Sequence, residues 1–505
     1  MFEKIKQFFS IGGGNVQRVN SLGKIIDHPK INMTSEEYGR IQSNSRYYAG
    51  LFDDVRYKNT YGVTKTRPFV SLNMAQIVAK RIASICFNEH AVITVGTKDS
   101  EAQKFIDETF KDNDFYKSYE RYLESGMALG GMAIKPYVDD NNQIKLSWIQ
   151  ADAFYPLRSN SNGISGVTIA SVTTKVIGKA INRYTLLEFH EWKDDDYVIT
   201  NELYCSVDTS SIVGTRVSLS ELYPELEEET HSQGVLTRML PTYFKPAGMN
   251  NKDRYSLLGL SVTDNAKNTL KQIDDSFDKL NWEVKMSQKK VTVSADAIQV
   301  VPDENNQTGF KEIFDSEQDV FLSLEGGLDD KSPIKDISLE PRVEPFISSI
   351  STNLKLLEMQ VGLSAGTFTF DSNGLKTATE VVSENSMTYQ TRNSHLTNVE
   401  QNIKELVTSI LELAKSVKLY NGPTDEEITI DFDDAIFVDK QAQATYLLSL
   451  LSSGLISKKY FLTKQLGVTD KEADKMLTDI DNETINQQPD QQEQNENTLL
   501  GSGDE

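Results

Sequence analysis

The stretch of sequence that decides the fold covers residues 261–289, SVTDNAKNTLKQIDDSFDKLNWEVKMSQK. It contains no glycine or proline, and its apolar residues recur at alternating intervals of three and four. Such spacing predicts a helix with one narrow apolar seam, and at about 1.5 Å per residue this helix is roughly 40 Å long. The seam consists of Val262, Ala266, Leu270, Ile273, Phe277, Leu280 and Val284.

Two later segments repeat this pattern. Residues 345–361 predict a second seamed helix that ends before Gly362, with Phe346, Ile350, Leu354, Leu357 and Val361 on one side. A third long helix is predicted over residues 377–420, because Thr377 and Glu380 have capping-box spacing and Asn421-Gly422-Pro423 is a stop signal. Its second half carries Val399, Ile403, Leu406, Ile410, Leu413 and Val417 at the same spacing.

The remaining segments alternate between helical and strand patterns. Residues 1–130 are predicted to be mostly helical, with a capping box at Thr34 and Glu37 and a helix over residues 70–87. Residues 131–245 predict a hairpin around residues 139–142, then a β meander with one wet face. Short strands are expected at 291–293, 298–301 and 320–324, and helices at 440–480. The polar tail, residues 482–505, is predicted to be disordered. The predicted fold class is therefore α+β.

Bulk composition narrows the class of protein. The chain has 505 residues, enough for more than one compact core, and no apolar run approaches the roughly 20 residues that span a bilayer. Cys86 and Cys205 are the only cysteines, which excludes a disulfide framework. The net charge of −22 favours solubility. The same charge is also compatible with a wall that surrounds DNA without binding it tightly, since tight binding requires Lys and Arg at the phosphates.

A search for catalytic motifs finds none. Residues 374–377, GLKT, resemble the end of a phosphate-binding loop, but Thr369 stands where that loop needs glycine. None of His28, His90, His190, His231 and His395 has metal-ligand spacing, and no serine lies in a nucleophile-elbow motif. His190 with Glu188 and Glu191 is typical of a solvated strand. The sequence therefore predicts no enzyme, no cofactor and no metal site.

The order of these segments resembles the portal proteins of tailed bacteriophages, especially siphophages of Gram-positive hosts. The resemblance rests on three places. The first combines YFKP at residues 243–246, SLLGLS at 256–261 and the tripeptide Asp264-Asn265-Ala266. It is similar to the entry into the first stem helix. The second is GLSAGTFTF at 362–370 with GLKTATEV at 374–381, which is similar to the tunnel loop. The third is LLSSGLIS at 450–457, which is similar to the entry into the crown.

This resemblance implies a division of the chain into the portal parts. The portal-type fold would have a mixed α/β wing at 1–260, stem helices at 261–289 and 345–362, and a small β-containing clip at 290–344. A tunnel loop at 363–376, a long helix returning to the wing at 377–435, a helical crown at 436–481 and a tail at 482–505 would follow. The resemblance also implies a homo-oligomeric ring of twelve subunits at one capsid vertex of the virion, assembled in the host cytoplasm.

Partners and site residues follow from the same resemblance. Double-stranded DNA would pass through the ring without sequence-specific binding, and terminase, major capsid or scaffold, and head-completion proteins would dock on it; no membrane is involved. The DNA-facing candidates in the tunnel loop are Ser364, Thr367, Thr369, Asp371, Ser372, Asn373 and Lys376. The candidates for stem packing between subunits are Val262, Leu270, Ile273, Phe277, Leu280, Phe346, Ile350, Leu354 and Leu357.

Two alternatives remain open at the level of sequence. Instead of a portal protein, the chain would be another head-structural or connector protein, or it would be a metal-dependent DNA-processing enzyme. The second alternative rests on Asp431, Asp433 and Asp434, because strand alternation puts Asp431 and Asp433 on one face.

Overall fold

The computed structural model describes residues 21–486, apart from 59–62, 89–90, 98–99, 161–162, 195, 233–235, 288–290, 295–299, 303–309, 313–320, 325–333, 337–339, 369–385, 433–439, 467 and 469. The chain divides into two units. The first comprises Met1–Ser372 with Met387–Phe432, and the second comprises Asn373–Ser386 with Asp433–Glu505. Helices and strands are mixed throughout the first unit, which confirms the α+β prediction.

The helices are α1 (Ser35–Tyr48), α2 (Met74–Cys86), α3 (Glu101–Asp112), α4 (Phe115–Leu129), α5 (Lys267–Met286), α6 (Val343–Gln360), α7 (Ser386–Ser416), α8 (Lys440–Ser452), α9 (Lys458–Leu466) and α10 (Asp470–Asn486). The strands before α5 are β1 (Ser21–Leu22), β2 (Val55–Lys58), β3 (Thr64–Arg67), β4 (Val92–Val95), β5 (Met132–Val138), β6 (Ile144–Gln150), β7 (Phe154–Asn160), β8 (Gly163–Ile177), β9 (Ala180–Lys193), β10 (Asp196–Val207), β11 (Gly214–Val217), β12 (Glu229–His231) and β13 (Thr242–Phe244). Those after it are β14 (Val291–Ser294), β15 (Val300–Pro302), β16 (Phe310–Glu312), β17 (Phe321–Leu324), β18 (Ile334–Asp336) and β19 (Ile428–Asp431).

The predicted meander is the centre of the largest sheet. Its strands run in the order β1-β11-β10-β9-β8-β7, with β12 also paired to β10. The burial pattern differs from the expected single wet face. In β8, four successive residues, 167–170, are buried, whereas residues 171–177 are all exposed. The sheet is therefore covered on both faces at one end, and the β8–β9 hairpin extends beyond that cover.

The helical core of the first unit forms around aromatic residues. Phe110 and Phe115 stack with centroids 3.9 Å apart, and both are buried. The hydroxyl of buried Tyr119 in α4 donates to Asn402 Oδ1 in α7 at 3.1 Å. The predicted seam of α7 lies in this core, where Ile403, Leu406 and Ile410 are fully buried.

One helix start differs from its prediction for a clear reason. The pattern predicts a helix from residue 70, but α2 begins at Met74. The backbone N–H groups of Val70 and Leu72 donate to the carboxylates of Asp278 and Asp274 on α5, at 3.1 and 2.9 Å. Residues 70–73 are held in a non-helical conformation by these bonds, and the helix starts after them.

The insertion between the two stem helices contains five short strands. β14 lies between β17, to which it is parallel, and β18, to which it is antiparallel, while β15 pairs with β16. Three of these strands were predicted. β16 (FKE) and β18 (IKD) were missed because each has a single leading apolar residue followed by charged residues, whereas the predicted β15 is mostly apolar.

The second unit is described as three helices, α8 to α10. α8 ends at Ser452, and Gly454 follows with a φ of 73°, as expected for the predicted break. Lys459 of α9 pairs with Asp474 of α10 at 2.7 Å. The predicted disordered tail lies mostly outside the described residues.

Candidate functional site

The two stem helices form an antiparallel pair. Ser276 Oγ of α5 lies 3.3 Å from Ser349 Oγ of α6, and two turns further along, Glu283 pairs with Arg342 at 3.0 Å. The first helix was predicted from residue 261, but residues 264–266 form a 3₁₀ turn and the α-helix begins at Lys267. The two helices therefore form an antiparallel hairpin, with the β insertion at its far end.

The base of this hairpin is held by three buried acidic residues, Asp264, Asp274 and Asp278, which we call the stem base. Asp264 Oδ2 accepts from Arg40 at 3.0 Å and from Asn44 at 3.1 Å, so that it ties the start of α5 to α1. It also accepts from the backbone N–H of Ser261 at 2.8 Å. All three acidic residues are 4% exposed, so their bonds are made out of contact with bulk water.

The other two acidic residues of the stem base, Asp274 and Asp278, bind α5 to the segment before α2. Both guanidinium nitrogens of Arg67 donate to Asp278, each at 2.6 Å, in a bidentate pair. Burial alone would raise the pKa of Asp278, but the bonds from Arg67 and Val70 hold that pKa below its usual value. Asp274 accepts from Ser71 Oγ at 2.8 Å, although burial still raises its pKa.

A second set of hydrogen bonds holds the start of the segment that follows α6. These bonds are made by Glu358, Ser364 and Thr388, and we call these three residues the loop clamp. Glu358 is 1% exposed, and its two carboxylate oxygens accept from the backbone N–H groups of Gly366 and Phe368, at 3.0 and 2.6 Å. The Ser364 N–H donates to Thr388 Oγ1 at 2.8 Å, and the Thr388 N–H donates to Ser364 Oγ at 3.2 Å. Both ends of the intervening segment are therefore fixed to each other.

The turn at the end of α6 requires glycine. Gly362 has a φ of 75°, and a Cβ at this position would lie 2.3 Å from Thr391 Oγ1. A side chain here would meet both backbone strain and a collision with α7. The turn therefore brings the end of α6 close to α7, next to the loop clamp.

The start of α7 is anchored in the wing by polar side chains. Arg392 is 2% exposed, and its Nε donates to the carbonyl of Ile85 at 2.6 Å. His395 Nδ1 accepts from the backbone N–H of Ala247 at 3.0 Å, which requires the neutral ring. Burial lowers the pKa of His395 to about 4. These bonds fix the orientation of the helix that carries one half of the loop clamp.

The structure describes only two of the predicted tunnel-loop residues. Ser364 is buried and bonded to Thr388, so it anchors the base of the segment instead of lining its exposed side. Thr367 is half-buried and donates to the Ser364 carbonyl at 2.6 Å. The remaining candidates lie outside the described residues: Thr369, Asp371, Ser372, Asn373 and Lys376.

The nine predicted stem-packing residues divide into two groups. Four are buried within the subunit itself: Leu270, Ile273, Leu354 and Leu357. The other five are half-buried: Val262, Phe277, Leu280, Phe346 and Ile350. Because the first four contact their own chain, direct packing against another subunit is left to the second group and remains a prediction.

The residues weighed for chemistry do not form a reactive site. His190 is fully buried, with Nε2 2.6 Å from Glu188 Oε1 and Nδ1 2.6 Å from the Tyr197 hydroxyl. Burial lowers the pKa of His190, and the neighbouring Glu188 also pairs with Lys135. The expected solvated strand is thus a buried polar network. Within the described ranges, His, Cys, Asp and Glu form no group of three or more that would hold a metal ion. Asp433 and Asp434 lie outside those ranges.

Several of these residues were missed by sequence reasoning. Asp274 and Asp278 are four residues apart on the same side of α5 as the apolar seam, a signal that points to buried carboxylates. Arg67, Glu358 and Thr388 give no such signal, because their partners are distant in sequence or are backbone groups. No helix in the described part of the chain is both long enough and apolar enough to cross a membrane.

Two solved structures are similar to this chain over most of its length, at low sequence identity. The first is the neck of an empty GTA particle computed with C6 symmetry, which is similar at 10% sequence identity and a TM-score of 0.38. The similarity covers 85% of this chain and 93% of the other. The chain is also similar to the neck of a native GTA particle computed with C12 symmetry, at 12% identity and a TM-score of 0.37, over 84% and 92%. No curated protein matches the sequence.

The family comparison extends over most of the sequence. The model described as "Phage portal protein, SPP1 Gp6-like" matches residues 27–486, which include α1 to α10 and the loop clamp. The chain therefore belongs to the SPP1 Gp6-like family of phage portal proteins.

Proposed function

We propose that this portal protein assembles into a closed ring of twelve subunits at one vertex of the capsid, and that double-stranded DNA passes through the ring during packaging and ejection. It is then a component of the virion that assembles in the host cytoplasm. The observation that carries the proposal is the loop clamp, which fixes both ends of the segment between α6 and α7.

A clamp of this kind suits a loop that touches moving DNA. Force on the segment is transmitted to Glu358, Ser364 and Thr388, all of which are buried and bonded. The segment itself carries small and hydroxyl residues, with one Asp371 and one Lys376 among the candidates. Weak contacts of this type permit repeated contact and release, whereas several clustered cations per subunit would hold the phosphates.

Net charge supports passage over tight binding. Each subunit carries a net charge of −22, so twelve subunits surround the channel with a strong excess of negative charge. Like charge keeps the wall and the DNA phosphates apart, and the DNA then slides without a preferred sequence. The protein needs no catalytic group for this role, and the motor activity belongs to a partner.

The remaining partners are assigned by region. Residues 290–344 form the clip, which meets the terminase and later the head-completion proteins. Residues 1–260 and 377–435 form the wing toward the capsid or scaffold, and residues 436–481 form the crown. The stem hairpin supports this assignment, because its far end carries the β insertion away from the stem base.

Replacement of residues 370–376 by a Gly–Ser linker of equal length tests the proposal. This change leaves Glu358, Ser364 and Thr388 in place. We expect rings of normal size, measured by native mass spectrometry, and at least a tenfold loss of packaged DNA, measured as nuclease-protected DNA in particles. A matched control replaces the exposed wing turn at residues 139–142 by a linker of the same composition. Normal packaging by the 370–376 variant contradicts the proposal.

A further inference from the structure

Charge is distributed unevenly along this acidic chain. Residues 55–88 contain six basic residues and no acidic residue, although the whole chain has a net charge of −22. The six are Arg56, Lys58, Lys65, Arg67, Lys80 and Arg81. Asp53 and Asp54 precede the stretch, but Asp53 is paired with Arg46 at 2.8 Å. A basic segment of this length in a strongly acidic protein indicates an interaction surface.

The first part of this segment is the β2–β3 hairpin, whose position on the stem is fixed. Arg67 is bonded to Asp278, and its guanidinium also lies 4.6 Å from the centre of the Trp282 ring. Tyr57 packs edge-on against Trp282, with ring centres 4.9 Å apart. Tyr57 and Arg67 therefore turn one face of the hairpin toward α5.

The other face of the hairpin is basic and exposed. Arg56 pairs with Thr66 and Lys58 with Thr64 across the two strands, and these four residues share the face opposite Tyr57. All four are exposed. Neither Arg56 nor Lys58 forms an ion pair with a described carboxylate. We call this surface, whose two cations are Arg56 and Lys58, the basic hairpin face; Lys65 is also exposed but is paired with Tyr57 and lies on the other face.

The acidic residues that hold the hairpin on α5 are not available to this face. Asp278 is occupied by Arg67 and the Val70 N–H, and Asp274 by Ser71 and the Leu72 N–H. Both carboxylates are buried in the stem base. Neither of them pairs with Arg56 or Lys58.

A surface of opposite charge lies on another part of the first unit. Helix α3 and the residues before β19 carry seven carboxylates against two lysines: Glu101, Asp107, Glu108, Asp112, Asp425, Glu426 and Glu427 against Lys104 and Lys111. β19 pairs with β4, which leads into α3, and both Glu101 and Glu426 raise the pKa of Tyr420 in addition to its burial. These residues are thus neighbours, and we call them the acidic α3–β19 face.

We propose that the basic hairpin face of one subunit docks on the acidic α3–β19 face of the adjacent subunit in the ring. The proposal rests on the proposed ring, whose head-to-tail contacts require two different, complementary faces on each subunit. No ion pair among the described residues joins the two faces within one subunit, which leaves both faces open to a contact between copies.

DNA is the less favoured partner for the basic hairpin face. Tight duplex binding uses about six to ten phosphate contacts per protein. The face supplies two exposed cations on a subunit of charge −22, and the long-range field of that subunit repels DNA. The same field attracts a basic face to the acidic surface of another copy.

Reversing the charge of the basic hairpin face in the full-length protein tests the proposed docking. The double variant Arg56→Glu/Lys58→Glu is compared with Lys80→Glu/Arg81→Glu, which makes the same charge change at exposed positions of the same basic segment. Assembly is measured by mass photometry over a series of protein and NaCl concentrations, and folding by circular dichroism. We expect wild type and the control to form rings alike, and the hairpin variant to need at least tenfold more protein at low salt.

The reciprocal variant makes the test specific. Asp425→Lys/Glu427→Lys is expected to weaken assembly to a similar degree, and the combination of both double variants to restore it. Unchanged assembly of the folded hairpin variant, or no rescue by the combination, overturns the pairing. So does a hairpin variant that forms normal rings and loses only retention of duplex DNA. Failure of the wild type to form rings instead contradicts the proposed function itself.

Discussion

The two ends of helix α5 differ in what surrounds them. Up to Asp278, Leu270 and Ile273 are at most 2% exposed, and Asp274 and Asp278 are bonded to Ser71 and Arg67 of the segment before α2. In the far part, Val284 is 50% exposed and Met286 38% exposed. The pair that closes this end, Glu283 with Arg342, lies at the surface.

This difference separates what one subunit stabilises by itself from what it leaves to others. Buried polar bonds at the stem base give the hairpin a fixed direction relative to the wing, while the far part keeps apolar surface exposed. In a portal ring such surface is available for neighbouring subunits or docking partners. The stem base should therefore dominate the stability of the isolated chain, and the far part should contribute little to it.

The largest effect is expected at the stem base. Asp278→Ala leaves the Arg67 guanidinium without its bidentate partner, and breaking a buried pair in this way costs about 3 kcal/mol or more in free energy of unfolding. Denaturant unfolding of the full chain, followed by tryptophan fluorescence, measures the change. The control is Asp275→Ala. Asp275 is half-buried and lies about one helical turn before Asp278 on the same helix, and its replacement should change the free energy of unfolding by less than about 0.5 kcal/mol. Equal effects of the two variants contradict the special role of the stem base.

The anchored region should also carry a pH dependence. Burial lowers the pKa of His395 to about 4, below the ordinary value of 6.5, so the unfolded chain takes up the proton first as the pH falls. The stabilisation is complete above pH 6.5, is lost between pH 6.5 and about 4, and amounts to roughly 3 kcal/mol.

His395→Asn keeps an acceptor near the position of Nδ1 and removes the titration. We expect the thermal midpoint of wild type to fall more steeply than that of the variant between pH 6.5 and 4. Parallel profiles for the two proteins contradict the assignment of this pH dependence to His395.

A smaller and more local effect is expected at the loop clamp. Glu358→Gln replaces one of the two acceptor oxygens by an NH₂ group, so one of the N–H groups of Gly366 and Phe368 loses its partner. The cost is about 1–3 kcal/mol, which corresponds to about a fivefold to 150-fold increase in local opening. Hydrogen exchange of residues 364–368 measures it. Glu344→Gln, at the exposed start of the same helix, is the control, and unchanged exchange in Glu358→Gln shows that the clamp does not hold the segment.

The smallest effect is expected at the far end of the stem. Arg342→Gln removes the ion pair with Glu283, but both groups are solvated, so the thermal midpoint of the dissociated subunit should not shift measurably. A clear loss of stability in this variant removes the contrast between the two ends of the stem.

The sequence predicts periodic features of this fold well. The seams of α5, α6 and α7 and the meander of β8 to β10 follow from spacing alone, because each pattern repeats several times within one element. The N-cap role of Thr34 is also confirmed, since its hydroxyl accepts from the Glu37 N–H at 3.2 Å. Glu37 itself does not complete the capping box; its carboxylate bonds Ser256 and Asn250 of a distant loop.

Local sequence patterns do not predict contacts between residues that are far apart in the sequence. Asp278 meets Arg67 across 211 residues, and the bonds from the Val70 and Leu72 N–H groups to Asp278 and Asp274 delay the start of α2. Ser364 was a DNA-facing candidate because the resemblance puts it in the tunnel loop, yet its bonds to Thr388 make it an anchor. Single-sequence reasoning locates the segment but not which of its residues turn inward.

Native mass spectrometry of the purified wild-type protein tests the central claim most directly. The account predicts one dominant species of twelve subunits, and negative-stain images of the same sample should show closed rings with a central channel. A protein that stays monomeric at all concentrations and salt conditions, or that forms open chains of no fixed size, contradicts it.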